Sequence, residues 1–178
     1  MTIRSMLLDA HSRVQAEAIA AYIGRSEERM GELIELFLHD EYRVVQRAAW
    51  PLSLVAEQHP ELVAPHLEAM VLRMDDAGIP VSVKRNVVRV LQFLDIPERL
   101  HGRVMDVCFR MLEDPEETIA VRAFSMTVLA NLAKTYPEIK NEIVLLIEDQ
   151  LREGATPGFR SRAKKTLQEL SKPGKKES

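Results

Sequence analysis

Apolar residues recur along this chain at helical spacing. Between Pro80 and Asp95, the residues Val83, Val87, Val90, Leu91 and Leu94 fall at i, i+4, i+7, i+8 and i+11, which puts them on one stripe of an α-helix. Val121, Phe124, Val128 and Leu132 do the same further on. Strand-like alternation is not sustained anywhere, and no Asn-Gly or Asp-Gly hairpin turn occurs. Breakers cut the pattern at Gly24, His59-Pro60, Gly78 with Pro80, Ile96-Pro97, Asp114-Pro115, Tyr136-Pro137 and Gly154 to Gly158. A proline in the first turn of a helix loses only an N–H that has no partner there, so these prolines read as helix starts. Pro51 lies inside an apolar helical pattern instead, and predicts a kink.

The segments alternate between two sets. The A helices are expected over roughly 2–9, 26–40, 61–76, 97–114 and 138–153. The B helices are expected over roughly 12–24, 42–58, 80–95, 116–135 and 156–172. Short connections make neighbours antiparallel. Two markers repeat with the pairs. An Arg followed by a small residue recurs at Arg47-Ala48, Arg85-Asn86, Arg122-Ala123 and Arg162-Ala163, with spacings of 38, 37 and 40. A Pro-Glu pair recurs at Pro60-Glu61, Pro97-Glu98 and Pro137-Glu138, with spacings of 37 and 40. Two markers with one period point to a repeat architecture, in which stacking makes the core continuous because one pair cannot bury both its faces.

An Asp-Pro turn, then Val-Arg and a small residue, then spaced leucines, resembles the HEAT repeat. It is clearest at Asp114-Pro115, Val121-Arg122-Ala123, Leu129 and Leu132. It is weaker around Asp40, Val44 and Arg47, and covers roughly 26–172. The resemblance implies an all-α fold, a right-handed α-α superhelix (a HEAT-like, armadillo-like solenoid) of about five antiparallel helix pairs. One repeat domain is expected over 1–172, followed by a flexible basic tail over 173–178.

Composition fits that fold. Of the 178 residues, 46% are hydrophobic but only 5% aromatic, so the core is built from Leu, Val, Ile, Ala and Met. The single cysteine, Cys108, permits no internal disulfide and reads as a small buried hydrophobe. The longest aliphatic run, Ile143 to Ile147, is far short of a membrane span. With no signal-peptide core at the N-terminus, the expectation is a soluble cytoplasmic protein with no membrane partner.

Signatures of chemistry are missing. The seven glycines form neither a P-loop nor a dinucleotide fingerprint. No His-Glu-x-x-His or Cys-x-x-Cys occurs, and the five histidines read as surface or helix-end residues, so no metal and no cofactor is expected. Asp9, His11 and Ser12 are too close in sequence to converge on one oxygen as a triad. The expectation is a protein that is not an enzyme and has no catalytic residue.

Charge is the informative feature. The A helices from residue 26 onward sum to −11, whereas the B helices sum to +7, although the whole chain carries only −3. Residues 155–178 carry +5 and the rest −8. In HEAT-like stacks the B helices line the concave face, so the resemblance places Arg43, Arg47, Lys84, Arg85, Arg89, Arg122, Arg160 and Arg162 on the inner wall as candidate partner-binding residues. Trp50, the single Trp, beside Pro51, reads as a core or inter-repeat packing residue, with an aromatic exposed in the groove as the functional alternative. The resemblance also implies a competing role for Arg47, Arg85, Arg122 and Arg162, as a ladder pairing with acidic groups in turns between repeats. A basic wall attracts anions. The leading expectation is an interaction or scaffold module binding a protein or acidic peptide. The alternative is nucleic-acid binding, related to the HEAT-like DNA glycosylases, with Trp50 as the aromatic. The oligomeric state is left open.

Overall fold

Short polar side chains start the helices. Thr2 accepts from the Ser5 amide while Ser5 Oγ accepts from the Thr2 amide, a reciprocal cap. Ser12, Ser26, Thr118 and Thr156 cap the amides of Gln15, Arg29, Val121 and Phe159 in the same way. Each such cap satisfies a donor that the helix leaves open, worth about 1 kcal/mol.

The computed structural model describes residues 1–173, all of whose regular structure is helical. The basic tail expected over 173–178 falls outside the described residues from position 174 on. The chain divides into two compact units, 1–97 and 98–178.

The first unit contains α1 (Ile3–Asp9), α2 (Arg13–Ile23), α3 (Glu27–His39), α4 (Tyr42–Gln58), α5 (Pro60–Val63), α6 (Leu67–Arg73) and α7 (Val81–Leu91). The A helices are α1, α3 and the α5–α6 arm; the B helices are α2, α4 and α7. Within it α4 is central, packing on α1, α2, α3, α5 and α7. Its buried face, including Val44, Val45, Ala48, Leu52, Val55 and Ala56, explains why. The helix runs on through Pro51, which is itself buried. Gly24 ends α2 with a φ of 53°, a left-handed backbone that favours glycine.

The third A helix departs from expectation. Rather than one helix over 61–76, the chain forms α5, a 3-10 turn over Ala64–His66, and then α6. Pro65 is the cause. It has no N–H to bond back to Glu61, so the chain tightens to i→i+3 bonding, with the Leu67 amide on the Ala64 carbonyl.

The second unit contains α8 (Glu98–Glu113), α9 (Ile119–Leu132), α10 (Lys140–Arg152) and α11 (Pro157–Ser171). Here α8 and α10 are A helices, and α9 and α11 are B helices. Helix α9 packs on α8, α10 and α11. Its core holds Leu100, Val104, Leu112, Val121, Met126, Leu129, Ile143, Ile147 and Phe159. Cys108 is buried there, and burial pushes its thiol up to about 12, against a weaker downward pull from Ser125.

Candidate functional site

The last four carbonyls of a helix lack intrahelical partners. In this protein, side chains from the following repeat reach back to them. Arg47 Nη1 on α4 donates to the carbonyls of Leu7 (2.9 Å) and Leu8 (3.1 Å) at the end of α1. Arg73 Nε on α6 donates to the Leu38 carbonyl near the end of α3, at 3.2 Å. In the second unit, Gln150 Nε2 on α10 donates to the Leu112 carbonyl near the end of α8. A guanidinium at a helix C-terminus also meets the negative end of the helix dipole.

These bonds sort the candidate residues. Arg47 is spent on backbone carbonyls rather than on an acidic group of a turn, which corrects the ladder expectation for it. Arg122 Nη1 donates to Gln150 Oε1 at 3.2 Å, and its guanidinium lies 5.6 Å from the centre of the Phe159 ring. Arg162 Nη1 donates to Thr127 Oγ1 at 2.8 Å. Arg160 is exposed but folds back on the Ala155 carbonyl at 3.0 Å. Lys84 is half-buried and already partnered. Arg43 is exposed on the first turn of α4.

Three candidates come together: Trp50, Arg85 and Arg89 line a groove of about 560 Å³ between α4 and α7. Its α4 wall carries Tyr42, Gln46 and Trp50 at i, i+4 and i+8, one residue per helical turn. Its α7 wall carries Val81, Arg85 and Arg89 at the same intervals, with Ser82 and Asn86 beside them. No carboxylate is among the lining residues. Neither the Arg85 nor the Arg89 side chain has a hydrogen bond or ion pair among the described residues; Arg85 is exposed and Arg89 half-buried. Large apolar surface is left open beside them. Tyr42 is 65% exposed, Val81 57% and Trp50 37%. Trp50 meets His11 edge-on, with ring centres 5.9 Å apart. Asn86 donates through Nδ2 to the Ser82 carbonyl at 2.8 Å, which orients its amide on the helix.

Sequence reasoning missed Tyr42, Gln46, Val81 and Asn86. A signal for the first two was present: Tyr42, Gln46 and Trp50 form a row off the apolar stripe of Val44, Val45, Ala48 and Leu52. Elsewhere, α11 carries a second cationic surface. There the Glu169 carboxyl is held below its usual range, first by a hydrogen bond from Lys172, with the charges of Lys134 and Lys165 adding to the effect. Among the described residues no group of three or more His, Cys, Asp or Glu could hold a metal ion, and no helix is long and apolar enough to cross a membrane.

Comparison with known proteins agrees with the helical repeat. A designed armadillo repeat protein, solved in complex with the peptide (KR)4, is similar in structure with a TM-score of 0.58 and 18% identity, over 94% of this chain and 80% of that one. Comparison with curated proteins returns no match. The family model for the HEAT repeat domain matches residues 3–170. With nearly the whole helical chain matched, and with helix pairs laced end to side as described above, the protein belongs to the HEAT repeat family.

Proposed function

We propose that this protein is a non-enzymatic interaction module that docks a partner protein in the groove between α4 and α7. The observation that carries this reading is the groove's lining. Two guanidiniums without internal partners stand beside exposed Tyr42, Val81 and Trp50, in a fold where most large apolar side chains are buried. Aromatic and arginine side chains clustered in one recess are the composition of energetic centres in protein interfaces. The similar designed armadillo protein holds a peptide, and a peptide-sized partner fits a groove of this volume. The match of one family over 3–170 supports treating both units as one repeat domain.

The test is site-specific photo-crosslinking. A photoreactive amino acid at Gln46, in the groove, is compared with one at Glu35, exposed on α3. Crosslinks at position 46 that map to one contiguous segment of a partner, and that vanish with Trp50→Ala, support the reading. Equal capture at both positions, or capture of nucleic acid instead of protein at position 46, overturns it.

A further inference from the structure

The groove has an order along its length, not only a charge. Residues four apart on a helix lie about 6 Å apart. Tyr42, Gln46 and Trp50 therefore mark three levels on α4, and Val81, Arg85 and Arg89 mark three on α7. Both are B helices of successive repeats, and equivalent helices of a repeat stack run the same way. The levels then pair as Tyr42 with Val81, Gln46 with Arg85, and Trp50 with Arg89. The first is apolar, the second polar and cationic, the third cationic beside an aromatic face.

We propose that the groove selects an extended acidic segment of a partner protein in which alternate residues read apolar, acidic, acidic. This rests on the reading of the groove as the partner site and specifies what enters it. In an extended chain, side chains on one face recur about every 6.6–6.8 Å, close to the spacing of the levels. Along a row of about 12 Å, which is eight residues of helix rise, a groove of about 560 Å³ takes a short stretch of one chain. The apolar residue packs between Tyr42 and Val81. The two carboxylates meet Arg85 and Arg89, which have no carboxylate of their own in the groove to displace. A cationic peptide such as (KR)4, the ligand of the similar designed protein, would set like charges against each other here.

The experiment uses fluorescence polarisation with the full chain and three labelled peptides. The first carries the core Leu-Ser-Glu-Ser-Glu in a Gly-Ser frame. The second replaces both Glu by Lys. The third has the same composition as the first but places Leu and the two Glu four residues apart, the pattern of a helical ligand. The expected result is binding of the first peptide, with the second and third at least about tenfold weaker, since reversed charge across a contact is penalised strongly. Arg85→Glu combined with Arg89→Glu should reverse the preference between the first two. Arg85→Gln with Arg89→Gln should abolish it, and far-UV circular dichroism checks that both variants keep their helix content. Equal binding of the first two peptides, preference for the third, or no binding of the first at millimolar protein overturns the proposal. So does tighter binding of a single-stranded oligonucleotide that is lost in the same variants. If the Lys peptide binds best and Trp50→Ala removes it, the acidic class falls while the groove remains the partner site.

Discussion

Arg47 Nη1 holds two successive carbonyls, those of Leu7 and Leu8, at the end of the first A helix. A hydrogen bond from a charged donor contributes about 1.5–3 kcal/mol, and the abandoned carbonyls would be left part-buried. Arg47→Ala is therefore expected to destabilise the protein by about 2 kcal/mol in urea unfolding. Arg43→Ala, on the exposed side of the same helix, should stay within about 0.5 kcal/mol of wild type. Equal effects would refute the lacing role.

A second tie closes the same unit. Arg4 grips Asp40 with two bonds, Nε to Oδ2 at 3.1 Å and Nη2 to Oδ1 at 3.2 Å. The Arg4 hydrogen bond, followed by the Glu41 amide, holds the Asp40 carboxyl below its ordinary value of 3.8. A depressed folded value stabilises the protein above the unfolded pKa, and that contribution is lost as pH falls through the folded value. The stability gap between wild type and Asp40→Asn should be flat above about pH 5 and shrink below about pH 4. A gap that does not change with pH would show that the carboxylate charge is not involved.

Cys108 should be inert in the folded protein. Its thiol is buried and raised to about 12, so almost no thiolate is present at neutral pH. Ellman's reagent is expected to react at the rate of global unfolding and to rise with urea in step with loss of helix. Fast stoichiometric labelling in buffer would contradict this burial.

Trp50 and Phe37 should behave oppositely. Phe37 is fully buried, so Phe37→Ala should cost about 3–5 kcal/mol. Trp50 keeps more than a third of its surface in solvent, so Trp50→Ala should cost no more than about 1 kcal/mol while removing partner capture. Thermal unfolding of the two variants checks the contrast. A Trp50→Ala loss as large as that of Phe37→Ala would make Trp50 a core residue.

Helix pairing and several proline starts were legible because both follow from local rules. Pro60 and Pro157 open helices and Pro137 opens a 3-10 turn, as their missing N–H allows. Pro115 departs from that expectation: it lies in a turn, and α9 starts only at Ile119, where the Thr118 hydroxyl caps the Val121 amide. Pro65 was overlooked because its neighbours Leu62, Val63 and Leu67 continue the apolar pattern across the break. The site was only half legible. Arg47 and Arg85 occupy equivalent places 38 residues apart, yet one is spent on α1 and the other stands in the groove. The difference lies outside either residue. Arg73, reaching from α6, already occupies the Leu38 carbonyl near the end of α3, and Arg85 is not needed there. Local sequence cannot show which of two cations arrives first at a carbonyl in another helix.

The donors that close the A-helix ends come from three positions, on α4, α6 and α10, and from two side-chain types, Arg and Gln. The acceptor in every case is main chain, which no substitution deletes. Successive repeats can therefore exchange, relocate or neutralise the donor without losing the joint, so their sequences are free to drift apart while the stack persists. A cation relieved of that duty, as Arg85 is, becomes raw material for a new contact.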